Sequence, residues 1–151
     1  MDIPASFMRN EDDLPFVPFT DGITFQLLKS DVENGFFVVR VRFDPGVTIP
    51  KHKHTGDVHA FTHSGSWKYL EYPEVNIKGS YLYEPAGAVH TLHVLDSNTK
   101  VTDVSFVVRG ANLDMDEEDN IINVLDAGTI RDIYLERCKE AGHPKPDFIG
   151  S

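Results

Sequence analysis

Apolar and polar residues alternate along most of this chain with the two-residue period of β-strands, and only one C-terminal stretch changes to a helical period. Residues 22–29 (Gly-Ile-Thr-Phe-Gln-Leu-Leu-Lys) form a short β-prone run. Within Gly35 to Gly46, Phe37, Val39, Val41 and Phe43 share one face, while Phe36, Val38, Arg40 and Arg42 share the other. That pattern predicts a strand with one apolar side and one mixed side, closed at Pro45-Gly46. Residues 58–63 and 67–72 read as the two arms of a hairpin turned at Ser64-Gly65-Ser66, and residues 81–84, 90–95, 100–109 and 121–125 read as further short strands. Many short strands punctuated by glycine and proline predict a β-sandwich or barrel. In the last stretch Ile130, Ile133, Tyr134, Arg137, Cys138 and Ala141 fall on one stripe, which predicts a helix over 129–141 packed on the barrel. Thr129 is its expected N-cap, with Gly142 and Pro144 as the stop.

Residues 1–18 mix Pro, Asp and Asn with isolated apolar groups and read as an irregular N-terminal arm. Residues 112–120 hold five acids and read as a solvated loop tip; they lack the glycine and the distant glutamate of an EF-hand. At 151 residues, with no repeat of fixed period, the chain is expected to be a single domain over 1–151. A formal charge of −10 argues against a nucleic-acid partner, which calls for clustered Lys and Arg. No apolar run is long enough to cross a bilayer, and the opening residues carry no secretory pattern, so a cytoplasmic protein with no membrane partner is expected. The single cysteine, Cys138, cannot form an internal disulfide and reads as an inert residue on the helix.

The candidate chemistry lies in residues 46–94, which hold six of the seven histidines. In an extended strand His52 and His54 project to the same side and can grip one ion; a third imidazole from another strand would complete a metal site. Neutral imidazole suits Fe(II), Zn(II), Cu(II) and Ni(II), and three such ligands leave open coordination positions. The competing reading makes His52 and His54 exposed loop histidines beside Lys51 and Lys53. The joint occurrence of Gly46, the His pair, Gly65, Gly79, Pro85, Gly87 and His90 weighs against it.

These two blocks resemble the two motifs of the cupin family: glycine, five residues and His-x-His, then glycine, five residues, Pro-x-Gly and a further histidine. The resemblance covers residues 46–94 and implies an all-β cupin double-stranded β-helix, or jelly-roll barrel, here with a C-terminal helix. Residues 52–62 and 83–93 are similar to the branch of dioxygenases that cleave carbon–carbon bonds next to ketones, the 2,4′-dihydroxyacetophenone dioxygenase and acetylacetone-cleaving enzymes. Residues 21–28 resemble the opening strand of the latter. The resemblance implies His52, His54 and His90 as metal ligands, with Fe(II) as the expected ion and Zn(II), Ni(II) or Mn(II) as alternatives. His59 stands where many cupins place a glutamate, so the usual carboxylate ligand is missing at that position. A site of three neutral imidazoles would keep the full charge of the ion and favour an anionic chelating substrate. The activity implied is a dioxygenase acting on a β-diketone or an aryl hydroxyketone, its partners being that small molecule and dioxygen.

His59 and Glu71 are the candidate catalytic groups: His59 as a ligand or a donor to the metal's water, Glu71 as an acid or base. Glu84 is weighed with Glu71, and for both the competing reading is a surface charge. Phe61, Trp67, Tyr69 and Leu92 are candidate pocket residues, against a plain core reading. His93 is expected on the strand face opposite His90, His143 in solvent, and Arg40 and Arg42 on a solvated or inter-subunit face. A homodimer or higher homo-oligomer is expected. The alternative function is a metal-binding sensor or regulatory module similar to the cupin domain of some anti-sigma factors, and a third reading is a cupin isomerase or lyase.

Overall fold

The structure, a computed structural model, describes all 151 residues. Twelve strands run in chain order: β1 (Val17–Thr20), β2 (Ile23–Asp31), β3 (Phe36–Phe43), β4 (Thr48–His54), β5 (Val58–Ser64), β6 (Ser66–Tyr69), β7 (Asn76–Ile77), β8 (Tyr81–Glu84), β9 (Val89–Val94), β10 (Thr102–Arg109), β11 (Asn112–Met115) and β12 (Ile121–Leu125). Helix α1 (Ala127–Glu140) follows. The strands form two antiparallel sheets of six, in the orders β1-β2-β3-β10-β5-β8 and β12-β11-β4-β9-β6-β7. This is the double-stranded β-helix that the motif resemblance implies, and it agrees with the sandwich or barrel expected from the alternating pattern. No helix is long and apolar enough to cross a membrane.

The two-residue period sets the inside of the barrel. On β3, Phe37, Val39 and Phe43 are buried, and all four members of the apolar face line the interior cavity. The opposite face holds Arg40, which makes a two-point contact with Asp103 at 2.8 and 3.0 Å, and Arg42, which reaches the same carboxylate at 3.1 Å. Glu11 accepts from both arginines, so these guanidinium groups fasten the N-terminal segment to the sheet instead of facing solvent. The core falls into two clusters. One packs α1 through Ile130, Tyr134 and Cys138 against β2 and β3; the other surrounds Trp67 between β6, β9 and β10.

Several expectations need correction. The hairpin over 58–72 does not form: β5 pairs with β10 and β8, whereas β6 pairs with β9 and β7 in the other sheet. Gly65 makes this crossing possible, at φ 78° and so close to Thr102 that a β-carbon would overlap it. The acidic stretch is not all loop, since residues 112–115 form β11 between β4 and β12. The helix starts two residues early. Asp126 is the N-cap, accepting from the Thr129 N–H, while the Thr129 hydroxyl reciprocates as the third residue of a capping box. The stripe is correct at Ile130, Tyr134 and Cys138, but Ala141 is exposed beyond the last turn. Burial pushes the Cys138 thiol up, in keeping with an inert residue. Within the N-terminal arm Leu14 and Val17 are buried, so the arm docks before residue 18.

Candidate metal centre

Strand β4 carries His52 and His54 on one face, and β9 carries His90 in direct register with His52. The three rings lie 4.9, 5.5 and 5.8 Å apart between centroids. All three side chains are 2–4% exposed. The His52 Nδ1–H donates to the Pro50 carbonyl at 3.0 Å, which fixes the tautomer and leaves Nε2 with a free lone pair. Tyr69 lies flat on His90 with centroids 3.9 Å apart, so one core aromatic holds the imidazole plane.

The carboxylate missing at the His59 position enters from another strand. Glu84, at the end of β8, is 2% exposed and reaches into the cluster, its Oε2 2.9 Å from His54 Nε2 and its Oε1 3.3 Å from His90 Nε2. The surface-charge reading of Glu84 is therefore overturned. So is the inference of an all-imidazole site with its full ionic charge. None of the ring nitrogens of His54 and His90, nor either oxygen of Glu84, makes an aligned hydrogen bond, despite the short distances. Buried polar atoms without partners are costly, and here each is a metal-ligating atom. His54, Glu84 and His90 offer donor atoms within 4.8 Å of one another, so the residues present fit a divalent ion. Burial pushes the Glu84 carboxyl up, but contacts with His54 and His90 outweigh it and hold it below the usual carboxylate range. Burial lowers His52, which stays neutral and able to ligate.

The sequence held only a partial signal for Glu84: in Tyr81-Leu82-Tyr83-Glu84 period two sets Glu84 with Leu82, opposite the tyrosines, and the structure makes that the inner face. Its six-residue lead on His90 across the Pro85-Gly87 turn brings both to one end of the barrel.

Other candidate residues separate by strand face. His59 lies on the outer side of β5, where Nε2–H donates to Asp57 at 3.0 Å and Nδ1 pairs with the Tyr81 hydroxyl at 2.5 Å. It does not reach the cluster, because Val58, Ala60 and Thr62 hold the inward positions of that strand. Phe61 shares the outer face, is 46% exposed and stands against Tyr81, so it is not a pocket residue. Trp67 is fully buried core and donates to the Thr62 hydroxyl at 2.9 Å. Tyr69 and Leu92 do line the interior cavity. Glu71 sits after β6 at the surface, accepting the Thr91 N–H through both oxygens at 2.9 and 3.0 Å. That contact clamps the backbone beside His90. His93 faces away from His90 and pairs with the Thr48 hydroxyl, and His143 is exposed.

The centre borders two spaces. Inside the barrel is a largely apolar cavity of about 130 Å³, with His52, His54 and Glu84 at its polar end. On the other side an open groove of about 400 Å³ passes Glu84 and His90 between Tyr72 and Tyr83.

Residues 4–111 match the family model described as the ChrR cupin-like domain. No curated protein matches the chain. Among solved structures, an RmlC-like cupin protein from Ralstonia eutropha JMP134 is 30% identical with a TM-score of 0.90, the match covering 96% of this chain and 94% of that one. A protein of unknown function with a cupin-like fold from the same organism is 34% identical with a TM-score of 0.81, covering 86% and 81%. An acetylacetone dioxygenase from Acinetobacter johnsonii is 18% identical with a TM-score of 0.78, covering 91% and 95%, a likeness of fold.

Proposed function

The chain belongs to the ChrR cupin-like domain family, and on that premise we propose that it is a non-haem Fe(II)-dependent dioxygenase cleaving a carbon–carbon bond in a small ketone, a β-diketone or an aryl hydroxyketone. The observation that carries the proposal is a buried cluster of three imidazoles and one carboxylate, of which His52, His54 and Glu84 line a largely apolar cavity. His52, His54, His90 and Glu84 would hold the ion. Bound Fe(II) would supply the dioxygen chemistry and the attraction for a ketone oxygen. The chain supplies the rest: Tyr69 holds the His90 ring, Pro50 sets the His52 tautomer, and the phenylalanine and valine walls exclude water and orient the apolar body of the substrate. Glu84, held ionised, is also placed to keep the two neighbouring imidazoles in position.

A second reading is a regulatory cupin that would hold Zn(II) and catalyse nothing; the family description names ChrR, which is an anti-sigma protein in one structure of similar fold. The largely apolar cavity beside the cluster favours the enzyme. The test is metal analysis of the isolated protein, followed by oxygen uptake on a panel of diketones and hydroxyketones after Fe(II) loading. Uptake matched to two carbonyl products is expected. Tight Zn(II) with no uptake after exchange would favour the regulator, and product formed equally well without air would favour an isomerase or lyase.

A further inference from the structure

Two more polar side chains reach the interior cavity from β11, in the stretch whose acids suggest a solvated loop. Strand register sets Asn112 directly opposite His54 and Asp114 directly opposite His52, and residues paired in this way share a sheet face. Both line the cavity with His52, His54 and Glu84. The Asn112 Oδ1 is buried and has no hydrogen-bond partner, an unmade bond that a ligand or water donor would satisfy. Asp114 uses Oδ2 to accept from Asn123 at 3.1 Å, which orients the carboxylate. The polar end of the cavity thus holds two acidic side chains, and no lysine or arginine lines it.

We propose that Asn112 and Asp114 are the specificity-determining pair of this cavity, selecting an uncharged ligand that donates a hydrogen bond and rejecting an anionic one. This rests on the cavity being the substrate site of the reading above. Its physical basis is charge and fit. Glu84 and Asp114 together offset the charge of a divalent ion, so an added anion finds no uncompensated positive field and meets the Asp114 carboxylate directly. A hydroxyl, in contrast, gives Asp114 or Asn112 the donor that each can accept from. A cavity of about 150 Å³ accommodates one benzene ring, and this one is about 130 Å³ with phenylalanine walls, so the remainder of the ligand is one small ring or a comparable alkyl group. The anionic chelating substrate inferred from a site without a carboxylate is replaced by a neutral one.

The test is calorimetric binding of phenol, benzoate and toluene to the full chain loaded with Zn(II), which needs no turnover. Phenol is expected to bind about tenfold or more tighter than either of the others, a difference of the size one satisfied buried acceptor gives. Asp114→Asn, which retains the shape and the contact with Asn123, should raise benzoate affinity relative to phenol. Asn112→Ala should weaken phenol several-fold and leave toluene unchanged. Benzoate binding as tightly as phenol in the native chain, or none of the three binding, overturns the proposal without any variant; so does an unchanged phenol-to-benzoate ratio in folded Asp114→Asn. Selective phenol binding with no oxygen uptake by the Fe(II) form would instead refute the dioxygenase reading and leave the selectivity intact.

Discussion

Strands β4 and β5 each carry two histidines on one face, yet the two sets have opposite environments. His52 and His54 on β4 face the interior of the barrel and are almost wholly buried. His59 and His63 on β5 face outward, where they pair with Tyr81 and Asp57, and with Ser105. Period two says which residues share a face of a strand but not which face is inside. On β4 the inward face is set by pairing with β9 and β11, which bring His90, Asn112 and Asp114 to the same side. On β5, Val58 and Ala60 are buried, and the aromatic face that carries His59 and Phe61 is left outside. An imidazole becomes part of a site only when a neighbouring strand closes over it.

This contrast can be broken or sharpened experimentally. The largest effect is expected from His90→Ala, which removes the one ring that β9 adds to the cluster. Metal content measured by elemental analysis should fall to background, and metal retained at the native level would mean that the inward cluster is not the binding site. Glu84→Gln comes next, with metal affinity reduced about 10- to 100-fold by competition with a chelator. An unchanged affinity would return Glu84 to a purely structural role beside the two histidines.

Acid should act on the inward set through His52 and Glu84. Burial holds His52 below its ordinary value of 6.5, so as pH falls through that value the unfolded chain takes up a proton that the folded chain refuses. Stability of the metal-free protein should therefore decline as pH falls below about 6.5, and Glu84, held low by its two histidines, adds a further loss deeper in the acid range. Thermal melts of chelator-treated protein across this range check the sign; a melting temperature rising toward acid would contradict it. The smallest effect belongs to the outward set. His59→Ala should leave metal content unchanged and shift stability by only about 0.5 kcal/mol, as for other partly exposed positions. A loss of metal in that variant would show that the outer face communicates with the centre.

The sequence alone determined the strand-rich barrel, the terminal helix and the three converging histidines. Those features are carried by local periodicity and by motif spacing, and both are properties of the chain itself. It did not determine the helix start, where Asp126 and Thr129 are both good caps and only the reciprocal bonds choose between them. It also left the hairpin at Gly65 undecided, since a strand, turn and strand can fold back within one sheet or cross to the other. The carboxylate of the centre was decided by tertiary structure: Glu84 enters from a strand that pairs with β5, and Asn112 and Asp114 enter through register with β4. Strand pairing joins residues about thirty to sixty positions apart, and no pattern within one strand encodes its neighbour. The charge of the site, and with it the kind of molecule the cavity favours, therefore became readable only when the sheets were in place.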